Sequence, residues 1–419
     1  MKRVVRVGRR VAKRLAKGAA SRLKAMIPER PGTPLEVVFE ENVLPRVADV
    51  LAAPPPAAPG AISQAIPERI LDEPETRAIL AGRSGGTDVP PWAHGANGVL
   101  RSRVDLVRLP GVWHAPEYGA LFNDQGQVFH KAIHEALYLT PTLGLLPGVK
   151  VEEKGAVFRA PRDAPVIDRA TVFMAWGGLH NYGHFLIDCL PALMTAIGAG
   201  ATQRFPAIAP PLLPWHRELL DLMLGEAPRP RLVEAPLARI EDAVFATAMD
   251  HFLHAPNSPL DVVRERILAA AAIDPAAGAK RIYISRRGSQ KRVLVNELDL
   301  ETALAARGFE IVKPEDLSVR DQIALFHQAD LIVAPAGAAL ANVLFCRPEA
   351  KVIELQPSNF IGVWVRNIAL LVGVDWRAFF VPSPLSETEI YLEGHHRPNA
   401  EFSWRLDLPA FLTFLDNAV

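Results

Sequence analysis

Between Arg281 and Leu355 four short apolar runs alternate with three helical patterns, an order that few folds accommodate. The runs are Arg281–Ile284, Phe309–Val312, Asp330–Ala334 and Val352–Leu355; the helical patterns are Leu298–Arg307, Val319–Gln328 and Ala338–Phe345. Strands separated by helices imply βαβ units, right-handed crossovers and a parallel sheet. Ligands of such sheets lie beyond the carboxyl ends of the strands. The residues that follow each run are therefore where chemistry is expected.

The first run leads into Ser285-Arg286-Arg287-Gly288, with Lys291 and Arg292 close behind. A guanidinium fork donates two parallel hydrogen bonds, which suits phosphate. The third run leads into Pro335-Ala336-Gly337-Ala338-Ala339 and on to Asn342. Its side chains are tiny, so a ligand can approach the backbone closely. A helix opening near Ala338 would aim free N–H groups and the positive end of its dipole at that ligand. The fourth run carries Glu354 between Ile353 and Leu355. A carboxylate inside an apolar strand needs partners; ribose hydroxyls or a core arginine would supply them. Asn342 would line the same pocket or hydrogen-bond within its helix.

A second constellation follows the strand pattern Thr171–Trp176. Gly177-Gly178 leads to His180-Asn181-Tyr182-Gly183-His184, then to Asp188, Cys189 and Pro191. From Tyr182 onward the apolar spacing is helical, with Asn181 as the cap. His184 and Asp188 stand four apart, on one helix face. The pair suits a general base with an orienting carboxylate, or simply a hydrogen-bonded pair that holds the helix. A third reading joins His180 to them as a three-ligand metal site. It requires the helix to begin before His180, which the two glycines and the Asn181 cap oppose.

The charge of the chain is balanced, 46 Lys and Arg against 46 Asp and Glu, but unevenly placed. The first 28 residues hold ten of the cations and no acid, leaving the remainder with 36 against 46. That acidic body is unlike a nucleic-acid binder, which presents a basic face. The basic start carries Val4, Val7, Val11, Leu15 and Leu23 at helical spacing. Residues 2–26 are thus expected either as a solvated tail or as an amphipathic segment on an anionic membrane surface. No run of 18 apolar residues is present to span a bilayer. Cys189 and Cys346, the only cysteines, suit core packing in a reducing compartment. His251, His254, His395 and His396 have no evident partners and read as surface residues.

Taken together, the two constellations resemble glycosyltransferase family 61. The blocks that carry the resemblance are Asn181–Pro191, Ser285-Arg286, Asn296-Glu297, Gly308-Phe309-Glu310, Leu317-Ser318 to Gln322, Gly337-Ala338 to Asn342 and Val352–Leu355. The resemblance covers about residues 170–357. It implies an α/β protein of GT-B type, two Rossmann-like lobes with parallel sheets facing a cleft that closes over its ligands. It implies a nucleotide-sugar donor, a glycan or lipid-linked glycan acceptor, inverting transfer, and neither cofactor nor catalytic metal. Family analogy places such an enzyme in surface-polysaccharide or capsule assembly, in the cytoplasm or on the inner face of the membrane. His184 and Asp188 become the catalytic candidates, with Asn181 and Tyr182 on the acceptor side. Ser285, Arg286, Arg287, Arg292, Gly337, Ala338, Ala339, Asn342 and Glu354 become the donor-binding set. The chain departs from the family at Ala336, where a histidine often stands before the Gly-Ala turn.

On this reading the chain divides into a basic tail (1–30), a Pro-rich extension (31–98), an acceptor-side lobe (99–255), a donor-binding lobe (256–385) and a C-terminal stretch (386–419) whose helix would pack back on the first lobe.

Overall fold

The computed structural model describes residues 32–38, 46–47, 60–62, 85–86, 106–129, 143–246, 258–273, 280–358, 364–382 and 402–418. The basic tail, most of the Pro-rich extension and the histidines at 251, 254, 395 and 396 lie outside the described residues. Two large sheets organise the rest, and the protein is mixed α/β with parallel strands in both.

The first sheet contains β1 (Glu36–Val38), β2 (Leu106–Ala115), β3 (Ala120–Asn123), β4 (Gln127–Phe129), β5 (Val166–Val172), β6 (Ala207–Ala209), β7 (Arg231–Leu232) and β8 (Ala238–Ala246). Their order is β7-β6-β5-β8-β2-β3-β4-β1, and the short segments at 46–47 and 60–62 extend it. β5 to β8 form a parallel group and β1 pairs in parallel with β4; β2 runs antiparallel to β8, and β2, β3 and β4 make a meander. The expected all-parallel first lobe is therefore half antiparallel. Tight hairpins explain this: Ala115 to Ala120 and Asn123 to Gln127 leave room only for antiparallel return. A buried ion pair joins the two halves. Arg108 on β2 donates through Nε and Nη2 to Asp242 on β8, at 2.7 and 2.5 Å.

The second sheet holds β9 (Lys280–Ile284), β10 (Glu310–Val312), β11 (Ala329–Pro335), β12 (Lys351–Pro357) and β13 (Asp375–Val381). All are parallel, in the order β10-β9-β11-β12-β13, and residues 85–86 add a parallel edge beside β13. The helices are α1 (182–198), α2 (Pro214–Leu224), α3 (Ser258–Ala271), α4 (Glu297–Ala305), α5 (Val319–Gln328), α6 (Trp364–Val372) and α7 (Leu408–Ala418). The segment Ala338–Phe345 is 3₁₀ rather than α. From β9 the chain moves to one side through α4, and from β10 it returns across β9 through α5 to build the other side. The loops after β9 and β11 thus diverge. The crevice between them is the topological switch point, where sheets of this order bind ligands.

Two corrections to the expected organisation follow. Helix α7 does not return to the first lobe. Phe411, Leu415 and Ala418 join Tyr283, Leu331, Val333, Ile353 and Phe379 in the core on one face of the second sheet. That face would otherwise have α4 alone to cover it. Nor is there a clean gap between the lobes in the described residues. One core runs from Phe185, Leu190 and Leu220 through Leu260 and Ile267 to Ile323, Leu340, Ile332 and Phe380. Polar contacts reinforce it: Glu218 on α2 accepts from the Val319 and Arg320 amides that open α5, at 3.0 and 2.9 Å.

Candidate active site

Ser285 and Arg286 leave β9 into a loop that two buried carboxylates organise. Glu297 and Glu301 stand four apart on α4, on the face turned to the sheet. Glu297 Oε1 accepts from the Arg286 amide at 2.6 Å and from the Tyr283 hydroxyl at 2.9 Å. Burial is the main cause pushing the Glu297 carboxyl above its usual range. Glu301 accepts from the Ser285 hydroxyl at 2.6 Å and pairs with Arg287 at 3.4 Å. Asn296, the residue before, grips the backbone of Leu406 through both side-chain atoms. Ser285 and Arg287, expected on the donor, are thus engaged with α4: Ser285 is buried and Arg287 points its charge at Glu301.

The remaining two arginines reach the Gly337 turn. Arg286 Nη2 donates to Ser289 Oγ and to the Lys291 carbonyl, both at 3.1 Å, and its Nε is buried with no acceptor among the described residues. The guanidinium lies directly against Gly337, where a Cβ would collide with Nη1. Arg292 reaches the same turn from the loop's far end, donating to the Ala336 carbonyl at 3.3 Å. It holds a left-handed backbone, φ 52°, which costs a non-glycine residue about 1 kcal/mol or more. Burial, then the Arg286 charge, lower the Arg292 pKa to about 9, although Glu354 opposes the shift. Burial also lowers that of Arg286. Two half-buried cations that repel one another make a site that gains from an anion.

Gly337 itself is extended, φ −175°, a conformation open to any residue; its requirement is the close approach of Arg286. The 3₁₀ helix begins at Ala338, and its first amides lack intrahelical acceptors by geometry. Asn342, by contrast, is fully buried. It accepts from the Tyr182 hydroxyl at 2.6 Å and donates to Gln322 at 3.1 Å. Tyr182, expected on the acceptor side, is a half-buried bridge between α1 and the 3₁₀ helix. Glu354 is likewise buried, accepting from Trp376 Nε1 at 3.0 Å, and its pKa is raised to about 7, chiefly by burial. An indole and Gln356 take the place expected for ribose, because the Glu354 side chain points into the sheet's packed face.

The second constellation arrives at the same place. Asn181 Oδ1 caps α1, accepting from the Gly183 and His184 amides at 2.9 and 3.3 Å. The helix therefore begins after His180, which pairs instead with Glu117 at 3.1 Å. The three-ligand metal reading loses its third side chain, and no other group of three such ligands occurs among the described residues. Gly183 abuts Ala338: a Cβ there would lie 3.7 Å from the Ala338 carbonyl oxygen. One turn on, His184 Nδ1 meets Asp188 Oδ2 at 2.8 Å across a π-helical segment, Phe185–Cys189. The carboxylate fixes the proton on Nδ1 and leaves Nε2 as the acceptor. The ring rests on Gly177, whose φ of 79° and missing Cβ both require glycine.

A residue the sequence did not single out supports that loop. His216 on α2 is fully buried; its Nδ1 accepts from the Leu213 amide at 3.1 Å and its Nε2 donates to the Gly178 carbonyl at 2.9 Å. Burial lowers its pKa to about 4, so it stays neutral and serves as a fixed strut. Nothing in the spacing around His216 signals this, since its partner is 38 residues away. Glu297 and Glu301 carried a visible signal, two acids at helical spacing amid apolar neighbours.

Residues 182–353, which hold His184, Asp188, the arginine loop and the Gly337 turn, match the family Glycosyltransferase 61. The resemblance of the sequence to that family is thereby borne out over this segment. The chain is also similar to the EGF domain-specific O-linked N-acetylglucosamine transferases of Mus musculus and Rattus norvegicus, 28% identical over 127 residues to each. That similarity covers 29% of this chain and 23% of either relative. Within the matched segment, α1 and the switch-point turn are in direct contact.

Proposed function

We propose that this chain transfers a sugar from a nucleotide-sugar donor to a glycan acceptor, with inversion and without a catalytic metal. The observation that carries the reading is the convergence at one switch point of Arg286, Arg292, the Gly337 turn and the start of the His184 helix. The donor diphosphate sits against the Gly337–Ala339 amides between the two guanidiniums, which supply the charge that departing phosphate requires. His184 Nε2 removes the acceptor hydroxyl proton while Asp188 holds the imidazolium that forms. The acceptor oxygen attacks the anomeric carbon, the bond from that carbon to the phosphate oxygen breaks, and its electron pair leaves with the nucleoside diphosphate. The His184–Asp188 pair is present despite Ala336, which favours catalysis over mere donor binding.

In this reading the two sheets are the acceptor and donor lobes of a GT-B arrangement. No helix among the described residues is long and apolar enough to cross a membrane. The basic first 28 residues would hold the enzyme on an anionic membrane surface, where a lipid-linked glycan acceptor and surface-polysaccharide assembly would be found. A thermal-shift panel of nucleoside diphosphates and nucleotide sugars tests the donor site. One nucleotide class should stabilise the protein by mass action, and Arg286→Ala should erase that shift. Equal shifts in both proteins would overturn the reading.

A further inference from the structure

The structure assigns a pyranose-binding platform to Glu117, Tyr118, Trp176 and His180, beside the candidate base, and so a carbohydrate rather than a peptide hydroxyl as acceptor. This inference rests on the reading of His184 as the base. The β2–β3 hairpin turn carries Glu117 and Tyr118. Gly119 closes it with φ 69°, and a Cβ there would collide with the Met174 carbonyl and Ala175. The turn is thereby pressed onto the chain leaving β5. That approach stacks Tyr118 on Trp176, ring centroids 5.3 Å apart and planes at 19°. Both rings are only partly buried.

Beside the stack, His180 Nε2 meets Glu117 Oε1 at 3.1 Å, and both side chains are well exposed, 69% and 46%. An exposed pair of this kind contributes little stability, so the fold gives no reason for it. Trp176 is followed immediately by Gly177, the residue on which the His184 ring rests. Adjacent α-carbons are about 3.8 Å apart. The platform therefore adjoins the turn on which the His184 ring rests.

Pyranose chemistry fits these groups. The C–H face of a pyranose is apolar and flat and packs against an aromatic ring, while its rim of hydroxyls needs acceptors and donors in the plane. A carboxylate and an imidazole at the edge of an aromatic stack supply both. A peptide acceptor that bound by strand addition would need an open strand edge, and β2 and β3 are already paired here with β8 and β4.

The test is saturation-transfer NMR on the full chain with an equimolar mixture of methyl pyranosides and, separately, a serine- and threonine-containing peptide. Ring protons of at least one pyranoside should be saturated. Tyr118→Ala should weaken that binding about tenfold, the size of one lost aromatic contact, and Tyr118→Phe should restore it. Nucleoside diphosphate shifts should be the same in all three proteins. Nucleotide binding with no pyranoside saturation, or saturation indifferent to Tyr118→Ala, overturns the platform while leaving the donor site standing. Peptide binding that depends on Tyr118 overturns it in favour of a protein acceptor. Pyranoside binding that depends on Tyr118, without any nucleotide shift, upholds the platform and removes the donor reading instead.

Discussion

Gly337→Ala isolates the proposed anion site more cleanly than removal of either arginine. The backbone at Gly337 is extended, φ −175°, so alanine brings no dihedral strain. Its Cβ meets one thing, the Arg286 guanidinium, which must swing away. Swinging it breaks the donations to Ser289 and Lys291. Each is worth about 1 kcal/mol net, and water replaces part of that loss at a half-buried site, so stability should fall by about 1 kcal/mol. The anion loses more. A charge-assisted bond to phosphate is worth about 1.5–3 kcal/mol, or roughly ten- to a hundredfold in Kd. Calorimetric titration of the nucleoside diphosphate that gives the largest thermal shift measures this directly. The decisive comparison is a double-mutant cycle. In an Arg286→Ala background, Gly337→Ala has nothing to displace and should cost no further affinity. Losses that simply add, or a Gly337→Ala protein that binds like wild type, would refute the account of the turn as a seat for Arg286 and its ligand.

Two further outcomes follow from the same geometry. Asp188→Asn keeps the volume but removes the carboxylate that fixes the His184 tautomer; transfer should slow on the order of 10²- to 10⁴-fold in a product-formation assay while donor affinity stays unchanged. Glu354 has a folded pKa raised from 4.5 to about 7 by burial, so its favourable protonated state is retained fully only below the unfolded value. Stability should fall as pH rises from about 4.5 to about 7, by at most about 3 kcal/mol. Glu354→Gln should flatten that decline in urea unfolding measured at pH 5 and pH 8, and an unchanged slope would relocate the titration to another group.

The elements around the switch point were legible because their signals are local. Ser318 caps α5 through the Asp321 amide, and the helix spans Val319–Gln328 as its apolar spacing requires. The four apolar runs between 281 and 355 became strands because each is bounded by charged or small residues that stop it. The 3₁₀ form of Ala338–Phe345 was not legible, since its apolar residues satisfy either helix period over so short a length. Partners distant in sequence were hidden for a different reason. Glu354 and Trp376 are 22 residues apart, Tyr182 and Asn342 are 160 apart, and only the fold decides whether such groups face a ligand or each other. Residue type alone made Tyr182, Ser285 and Glu354 look like ligand contacts; the fold gives each a hydrogen-bond partner of its own.

That scaffold limits how the crevice can work. A cleft that opens and shuts by hinge motion needs two bodies with a thin seam between them. Here Tyr182, Asn342 and Gln322 form a half-buried polar chain across the seam, Glu218 caps α5 from α2, and Arg264 on α3 donates to the carbonyls of Leu344 and Cys346. A continuous apolar core lies around them. Separating the sheets would break these bonds together and expose apolar surface at roughly 25 cal/mol per Å². His184 and Gly337 are therefore held in fixed relation by the fold. A sugar-transfer site of the kind proposed would then be preorganised for the developing charge rather than assembled by closure.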